Sequence, residues 1–154
     1  MKTIKSFILR TGFFFLVCIL FFFHSCQNNE GKAKIILQST TVPAEWDLAF
    51  LETTHDFGTI KESDGPVTAK FEFVNRSNQH VTIHEVNASC GCTVPDWTKK
   101  PVAPHAIGCI NVTYNPKGRV SAFNKSVRVS TNGKPAAFSL KIKGVVEGKL
   151  KTKN

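Results

Sequence analysis

Three residues in the middle of the chain, Cys90-Gly91-Cys92, have the types and spacing that thiol chemistry needs. Cysteines two positions apart on an extended strand point to the same face about 7 Å apart, which is near the limit for a disulfide. A tight turn at Gly91 would shorten that distance. The resulting small ring would be strained and readily reduced, which predicts a redox-active bond rather than a stabilising one.

The same two thiols are also candidates for a soft-metal site. Two thiolates on a short loop suit Cu(I) or, with further ligands, Zn(II). The candidate auxiliary ligands are His84, His105 and Cys109, and no spacing in the sequence fixes them near the pair. Copper or zinc binding is therefore one interpretation of this segment.

A structural role is the third interpretation, and the sequence leaves all three open. Both cysteines would then be half-buried loop residues, with Gly91 setting the backbone and Trp97 packing over them. Cys109 falls on the polar face of its predicted strand. It would bridge to Cys90 or Cys92 only if that strand edge adjoins the loop.

Cys26 offers a different chemistry, the attachment of lipid. The chain begins with an N-terminal segment that is rich in lysine and arginine. The uninterrupted apolar run of residues 13–23 comes next, and Cys26 follows shortly after it. A run of that length is typical of a secretory signal and is too short to cross a bilayer. Ser25 directly before Cys26 resembles the bacterial lipobox, in which the cysteine thiol takes the lipid.

We therefore expect residues 1–25 to be a lipoprotein signal peptide, with an ordinary cleaved signal or an uncleaved anchor as the alternatives. Residues 26–45 begin with a polar run and are predicted to be a lipid-anchored flexible tether. Acyl chains such as palmitate each add about 0.8 kcal/mol per buried methylene to membrane binding. The predicted location is the cell envelope, membrane-anchored and facing the periplasm or the cell surface.

Composition and charge exclude several classes of protein. With 42% hydrophobic and 20% charged residues the chain can build a core, which excludes wholesale disorder. The net charge is +9. Without the leader, 17 basic and 11 acidic residues remain, which gives a net charge of +6. These basic residues are scattered rather than clustered beside aromatic side chains, so we expect no nucleic-acid binding. Residues 148–154 are predicted to be a basic, solvated tail.

Alternation of apolar and polar residues dominates from Trp46 onward. Such alternation puts one face of a strand in a core and one in water, as antiparallel sheets require. Turn-forming residues separate the runs at the spacing of a β-sandwich. The sequence thus predicts an all-β fold, a single immunoglobulin-like antiparallel sandwich of about seven strands over residues 46–147. The predicted inward-facing residues are Val67, Ala69, Phe71, Phe73, Val81, Ile83, Ile110, Val112, Tyr114, Val127, Val129, Phe138, Leu140 and Ile142.

Five segments within residues 54–146 resemble the domain-of-unknown-function 1573 family of bacterial envelope proteins. The segments are 55–60, 71–75, 89–93, 101–104 and 114–119, and Ser-Cys-Gly-Cys-Thr at 89–93 is the most specific. The resemblance implies an immunoglobulin-like fold related to the major-sperm-protein type and an envelope location, and it implies no particular activity. The chain has His105 where the family usually has glycine.

No motif in the chain predicts catalysis: it has no Gly-rich phosphate loop, His-Glu-x-x-His, Gly-x-Ser-x-Gly or Cys-x-x-Cys. We expect a non-enzymatic envelope lipoprotein whose domain is a binding or structural module without a resident cofactor. Its predicted partners are the lipid membrane, through acylated Cys26, and an unidentified protein or glycan. The alternative is a periplasmic copper- or zinc-binding or thiol-redox protein that uses Cys90 and Cys92.

Overall fold

Two four-stranded sheets pack face to face in the computed structural model, which describes residues 28–148. The all-β sandwich predicted from the sequence is confirmed, and this part of the chain contains eight strands in place of about seven. The elements in chain order are α1 (Asn28–Gln38), β1 (Leu48–Phe50), β2 (Thr54–Lys61), a 3-10 helix (Glu62–Asp64), β3 (Val67–Asn75), β4 (Ile83–Ala88), β5 (Thr93–Trp97), β6 (Ile107–Tyr114), β7 (Ala122–Thr131) and β8 (Ala137–Glu147).

From β1 to β5, successive strands belong alternately to the two sheets. Sheet A has the order β1-β3-β6-β5, and sheet B has the order β2-β8-β7-β4. β6 pairs with both β3 and β5 in sheet A, and β7 pairs with both β8 and β4 in sheet B. Because successive strands run up and down the sandwich, the loops collect at its two ends.

The predicted alternation is confirmed in the core between the sheets. All of the predicted inward-facing residues are buried except Val67, which is half-buried against the same cluster. In β6, for example, Ile110 and Val112 point into the core whereas Cys109 and Asn111 lie on the outer face. Removing each large apolar side chain from water stabilises the fold by about 1.5–3 kcal/mol, so this pattern determines which face of each strand turns inward.

β2 departs from the antiparallel arrangement that the sequence predicts, because it pairs with β8 in parallel. The register shifts between Asp56 and Thr59, where Gly58 has a φ of 62°. The Asp56 carboxylate accepts the Gly58 N–H at 2.8 Å, and this bond, followed by the Lys143 ammonium, lowers the pKa of Asp56. The motif segment 55–60 is therefore a bulged edge strand, which hinders pairing with another chain.

The prediction of a flexible tether over residues 26–45 is wrong where α1 forms. Ala33 and Ile36 lie three positions apart on one helix face and pack against Ala49 and Val74 on the outer face of sheet A. Packing of this kind, rather than intrinsic propensity, supplies most of the stability of a short helix. Since α1 buries only one turn of apolar side chains, the sequence shows no helical periodicity there.

Asn75 and His105 organise the end of the sandwich where β3 finishes. The backbone N–H of Asn75 donates to Ala106 at 3.0 Å, and the N–H of His105 donates to the Asn75 carbonyl at 2.7 Å. His105 has a left-handed φ of 62°, a conformation that glycine adopts most easily. The turn after Pro104 therefore has a glycine-type backbone although its residue is histidine.

Candidate functional site

Three loops meet at the other end of the sandwich, which we call the disulfide end. They are residues 62–66, 89–92 and 115–121. Tyr114, the last residue of β6, lies opposite Val67 on one side and Thr93 on the other. This register places the starts of β3 and β5 on either side of the β6 terminus, so the loops that lead into β3 and β5 lie beside the loop that leaves β6.

Cys90 and Cys92 form a disulfide at this end, with their Cα atoms 5.3 Å apart. The Thr93 N–H donates to the Cys90 carbonyl at 3.2 Å, which bends the segment and brings the two Cα atoms closer than a straight strand allows. Cys92 is buried at 7% exposure, whereas Cys90 is half-buried. Cys92 therefore belongs to the core cluster, and Cys90 packs against that cluster with more of its surface exposed.

The bond is a weak cross-link for the fold. It joins cysteines only two positions apart. In the chain-entropy account a disulfide that closes a three-residue loop stabilises a protein by about 1.6 kcal/mol, against about 3 kcal/mol for a 15-residue loop. A purely structural role therefore gains little from this pairing.

The hydroxyl of Thr93 lies close to both sulfur atoms. Its oxygen is 3.6 Å from Cys90 Sγ and 3.7 Å from Cys92 Sγ, within the range of sulfur hydrogen bonds. Thr93 is itself buried at 3% exposure. The hydroxyl is thus a fixed donor beside either sulfur, and no signal in the sequence singled it out.

The tight turn that the sequence suggested at Gly91 is present, but it does not require glycine. Its φ is not left-handed, and a Cβ placed on it would meet no atom within 4 Å. Neither backbone conformation nor crowding therefore requires glycine at this position. Gly91 is exposed, so a side chain here would extend toward solvent.

The turn 115–119 joins the disulfide loop to the rest of this end. The Asn115 N–H donates to the Cys92 carbonyl at 3.0 Å, and the Asn115 side chain accepts the Lys117 N–H at 3.0 Å. Gly118, with a φ of 72°, donates its N–H to the Glu62 carboxylate at 2.8 Å. Arg119 donates from Nη1 to the Lys117 carbonyl at 2.6 Å. Hydrogen bonds therefore connect all three loops.

Two stacked aromatic rings form the floor beneath these loops. Tyr114 and Phe123 lie 4.0 Å apart between ring centroids and 14° from parallel. Both are buried, and burial raises the pKa of Tyr114, although Arg119 acts in the opposite direction. The loops thus rest on a rigid apolar base.

An open depression of about 570 Å³ lies beside the turn. Its lining mixes polar and apolar surface and carries both signs of charge. The lining residues are Glu62, Ser63, Gly65, Pro66, Asn115 and Lys117. The sequence indicated turns at these positions but did not single out Glu62 or Lys117 as surface groups of a site.

The structure does not bring the candidate auxiliary ligands to the disulfide. Cys109 lies six residues from Asn115 along β6, which corresponds to about 20 Å. His105 precedes β6 and so belongs to the opposite end, and His84 lies near the start of β4, whose other end leads to Cys90. Within residues 28–148 no three His, Cys, Asp or Glu side chains are grouped to hold a metal ion. Copper or zinc binding stays a prediction.

Cys109 and Trp97 have other surroundings. The Cys109 thiol is free and half-buried, with its sulfur 3.8 Å from the Thr98 hydroxyl. Trp97 ends β5 and donates from Nε1 to the Ile83 carbonyl at 3.3 Å, at the start of β4. Neither the predicted bridge from Cys109 nor the predicted packing of Trp97 over the disulfide is present.

Cys26, with the predicted leader 1–25, lies outside the described residues, as does most of the predicted tail 148–154. Among the helices of the described part, none has both the length and the apolar character needed to span a bilayer.

The fold and the disulfide end define an immunoglobulin-like sandwich domain in which three connected loops, one of them closed by a disulfide, lie at one end. The family described as "Protein of unknown function (DUF1573)" matches residues 48–146, and the chain belongs to this family. The resemblance noted from the five sequence segments is thereby confirmed. No curated protein sequence matches the chain.

Several solved structures share the fold at low sequence identity. A protein of unknown function from Porphyromonas gingivalis W83 is 13% identical with a TM-score of 0.57, over 68% of this chain and 50% of that chain. The secreted serine protease VesC from Vibrio cholerae is 12% identical with a TM-score of 0.50, over 77% of this chain and 25% of that chain. The Vibrio cholerae VesB protease is 11% identical with a TM-score of 0.51, over 66% and 32%. The chain thus spans half or less of these proteins, and the likeness concerns the fold alone.

Proposed function

We propose that the chain is a cell-envelope lipoprotein, anchored through acylated Cys26, whose domain is a non-catalytic binding module. The observation that carries this proposal is the meeting of two distant family segments, 89–93 and 114–119, at one end of the sandwich. The bond from Asn115 to Cys92 and the pairing of Thr93 with Tyr114 hold them together. Loops fixed by a rigid sandwich are the usual binding surface of immunoglobulin-like domains.

The chemistry of this surface favours a polar partner. Glu62 and Lys117 line the depression, and Asn115 presents an exposed amide-bearing turn beside them. Because the loops are already hydrogen-bonded to one another, binding would require little ordering of the protein. A protein or glycan that presents hydrogen-bonding and charged groups fits this surface.

Replacing Cys26 with serine is expected to abolish lipid attachment, because a hydroxyl does not replace the thiol that takes the lipid. Cells given labelled palmitate should label the wild-type protein and leave the variant unlabelled. The wild type should fractionate with membranes as a chain that begins at Cys26. An unlabelled wild type found free in the periplasm would contradict the anchor and indicate an ordinary signal. A membrane-bound chain that retains residues 1–25 would indicate an uncleaved anchor.

The binding surface is tested by reversing one charge at each end of the sandwich. Lys117→Glu changes the disulfide end, and Lys134→Glu makes the same change at an exposed position of the opposite end. In affinity capture from solubilised envelopes, we expect Lys117→Glu to reduce the recovered partner about tenfold, the effect of losing one charge-assisted contact. Lys134→Glu should recover as much as the wild type. Equal recovery by both variants, or no partner enriched by the wild type, would contradict the proposal.

A further inference from the structure

We propose that the Cys90–Cys92 bond is a thiol-exchange site that reacts with dithiols of the cell envelope. Cys90 Sγ receives the attacking thiolate, and Cys92 is the leaving group. This activity does not depend on the binding function proposed above, because it needs only the disulfide loop and its immediate neighbours.

The two cysteine residues differ in exposure, which favours attack at the more exposed one. Cys90 is half-buried, whereas Cys92 has 7% of its surface exposed and belongs to the core cluster. Exchange rates depend on which sulfur an incoming thiolate can reach. Attack from outside on Cys90 therefore displaces the inner sulfur.

Gly91 keeps that approach free. Gly91 is exposed, and apart from its two chain neighbours a Cβ on it meets nothing within 4 Å, so a large side chain here would project from the loop next to Cys90. No left-handed φ calls for glycine here. A glycine at this position therefore leaves the loop beside Cys90 without a side chain that an incoming thiol would have to pass.

Thr93 supplies the group that a buried leaving sulfur needs. Burial disfavours a thiolate, and a hydrogen-bond donor beside the sulfur favours it. The Thr93 hydroxyl is 3.7 Å from Cys92 Sγ and can donate to the thiolate as it forms. It is also 3.6 Å from Cys90 Sγ, so it can stabilise either sulfur as charge develops.

The exchange balances in two steps. One thiolate of the dithiol attacks Cys90 Sγ, a mixed disulfide forms, the Cys90–Cys92 bond breaks, and Cys92 leaves as a thiolate that takes a proton. The second thiolate of the dithiol then attacks the dithiol's first sulfur, which is bonded to Cys90 in the mixed disulfide. This step closes the partner's disulfide and releases Cys90 as a thiolate, which is protonated in turn. Two electrons and two protons pass from the dithiol to the bridge, which leaves two thiols here and one disulfide on the partner.

Glutathione, a monothiol, tests where attack occurs in the mature protein as purified from cells. After brief exposure without denaturant and acid quenching, peptide mass spectrometry locates the mixed disulfide. We expect adducts on Cys90 to exceed those on Cys92 about tenfold, because access controls the rate. Adducts shared equally, found mainly on Cys92, or formed only as fast as the protein unfolds would overturn the proposal.

Dithiothreitol, a dithiol, tests the roles of Gly91 and Thr93 through the rate of reduction. Gly91→Val should slow reduction about tenfold by blocking access, while its urea midpoint stays that of the wild type. Thr93→Val should slow reduction about tenfold by removing one hydrogen bond to the leaving thiolate, and Thr93→Ser should restore the rate. Wild-type rates in both valine variants would overturn the proposal, whatever partner the domain binds.

Discussion

Asn75→Asp is expected to lower the free energy of unfolding by about 4 kcal/mol at pH 7, since it breaks a buried polar network and adds a buried charge. The Asn75 side chain has no exposed surface. Its Nδ2 donates to the Gln79 carbonyl at 2.7 Å and to the Val102 carbonyl at 2.9 Å. Its Oδ1 accepts the N–H and the hydroxyl of Ser77 at 3.0 and 2.7 Å. All four hydrogen-bonding positions of the amide are therefore used.

Aspartate at this position keeps the two accepted bonds and loses both donated ones. Its charged carboxylate would then face the carbonyl oxygens of Gln79 and Val102, which repel it. Burial and these oxygens would raise the pKa of the carboxyl group in the folded state. A folded-state pKa above the unfolded value means that stability is greatest below the unfolded pKa, about 3.9, and is lost as pH rises through the folded pKa.

Urea unfolding of the wild type and Asn75→Asp, followed by circular dichroism, should therefore show a larger deficit at pH 7 than at pH 4.5. Asn78→Asp is the matched control, because Asn78 is exposed in the same loop. It should change the free energy of unfolding by no more than about 0.5 kcal/mol. Equal deficits for the two variants, or a deficit that grows as the pH is lowered, would show that the network does not stabilise this end.

The sequence predicts the core well because burial on one face of a strand imposes a two-residue period that is visible locally. β6 shows the full pattern, with Ile110, Val112 and Tyr114 buried and Cys109 outside. The turn-forming residues Asn115-Pro116-Lys117-Gly118 also lie between two strands, β6 and β7, as the predicted spacing of turns requires. These features depend only on neighbours in the chain.

The features that the sequence did not predict depend on distant partners. α1 packs against Ala49 and Val74, and its contribution to that buried cluster is Ala33 and Ile36, which lie one turn apart. The parallel pairing of Thr54 with Lys141 joins strands that are separated by most of the domain. No local pattern specifies either arrangement, because an apolar patch on the outer face of a sheet attracts any segment that can reach it.

The candidate site was predicted in part. The cysteine pair is chemically conspicuous, and its spacing left a disulfide, a metal site and reduced thiols all open. Whether Cys109 or His105 could join it depended on which strand ends meet, and the register of β6 separates both from the pair. Thr93 follows Cys92 directly, yet only the bend of the loop shows that its hydroxyl approaches both sulfurs.

Glycine is the residue whose role the sequence specifies least. Gly91 and Gly108 both lie in or beside strands, and neither has a left-handed φ. A Cβ on Gly91 meets nothing, whereas a Cβ on Gly108 would lie 2.7 Å from Phe73 Cε2 and closer still to Cζ. Gly91 lies in an exposed loop, whereas Gly108 lies in β6 opposite Phe73, so their contrast gives a test of the packing.

Gly108→Ala is accordingly expected to lower the free energy of unfolding by about 3 kcal/mol, the upper end for overpacking a core. Gly108 pairs with Phe73 across β6 and β3, and the Phe73 ring covers the glycine. That ring has no exposed surface and packs 5.3 Å from the ring of Phe50, so moving it aside would disturb the surrounding core. Urea unfolding at pH 7 measures the effect, with Gly91→Ala as the control that should stay within about 0.5 kcal/mol of the wild type.

A double-mutant cycle separates this clash from a general intolerance of β6 to substitution. Phe73→Leu removes the ring that the new methyl group would meet, so adding Gly108→Ala to that variant should cost at least about 1 kcal/mol less than adding it to the wild type. Additive effects would mean that the methyl group disturbs the strand rather than the ring. A Gly108→Ala variant as stable as Gly91→Ala would mean that Phe73 does not lie over the glycine in solution, and the pairing of β3 with β6 at this position would then be wrong.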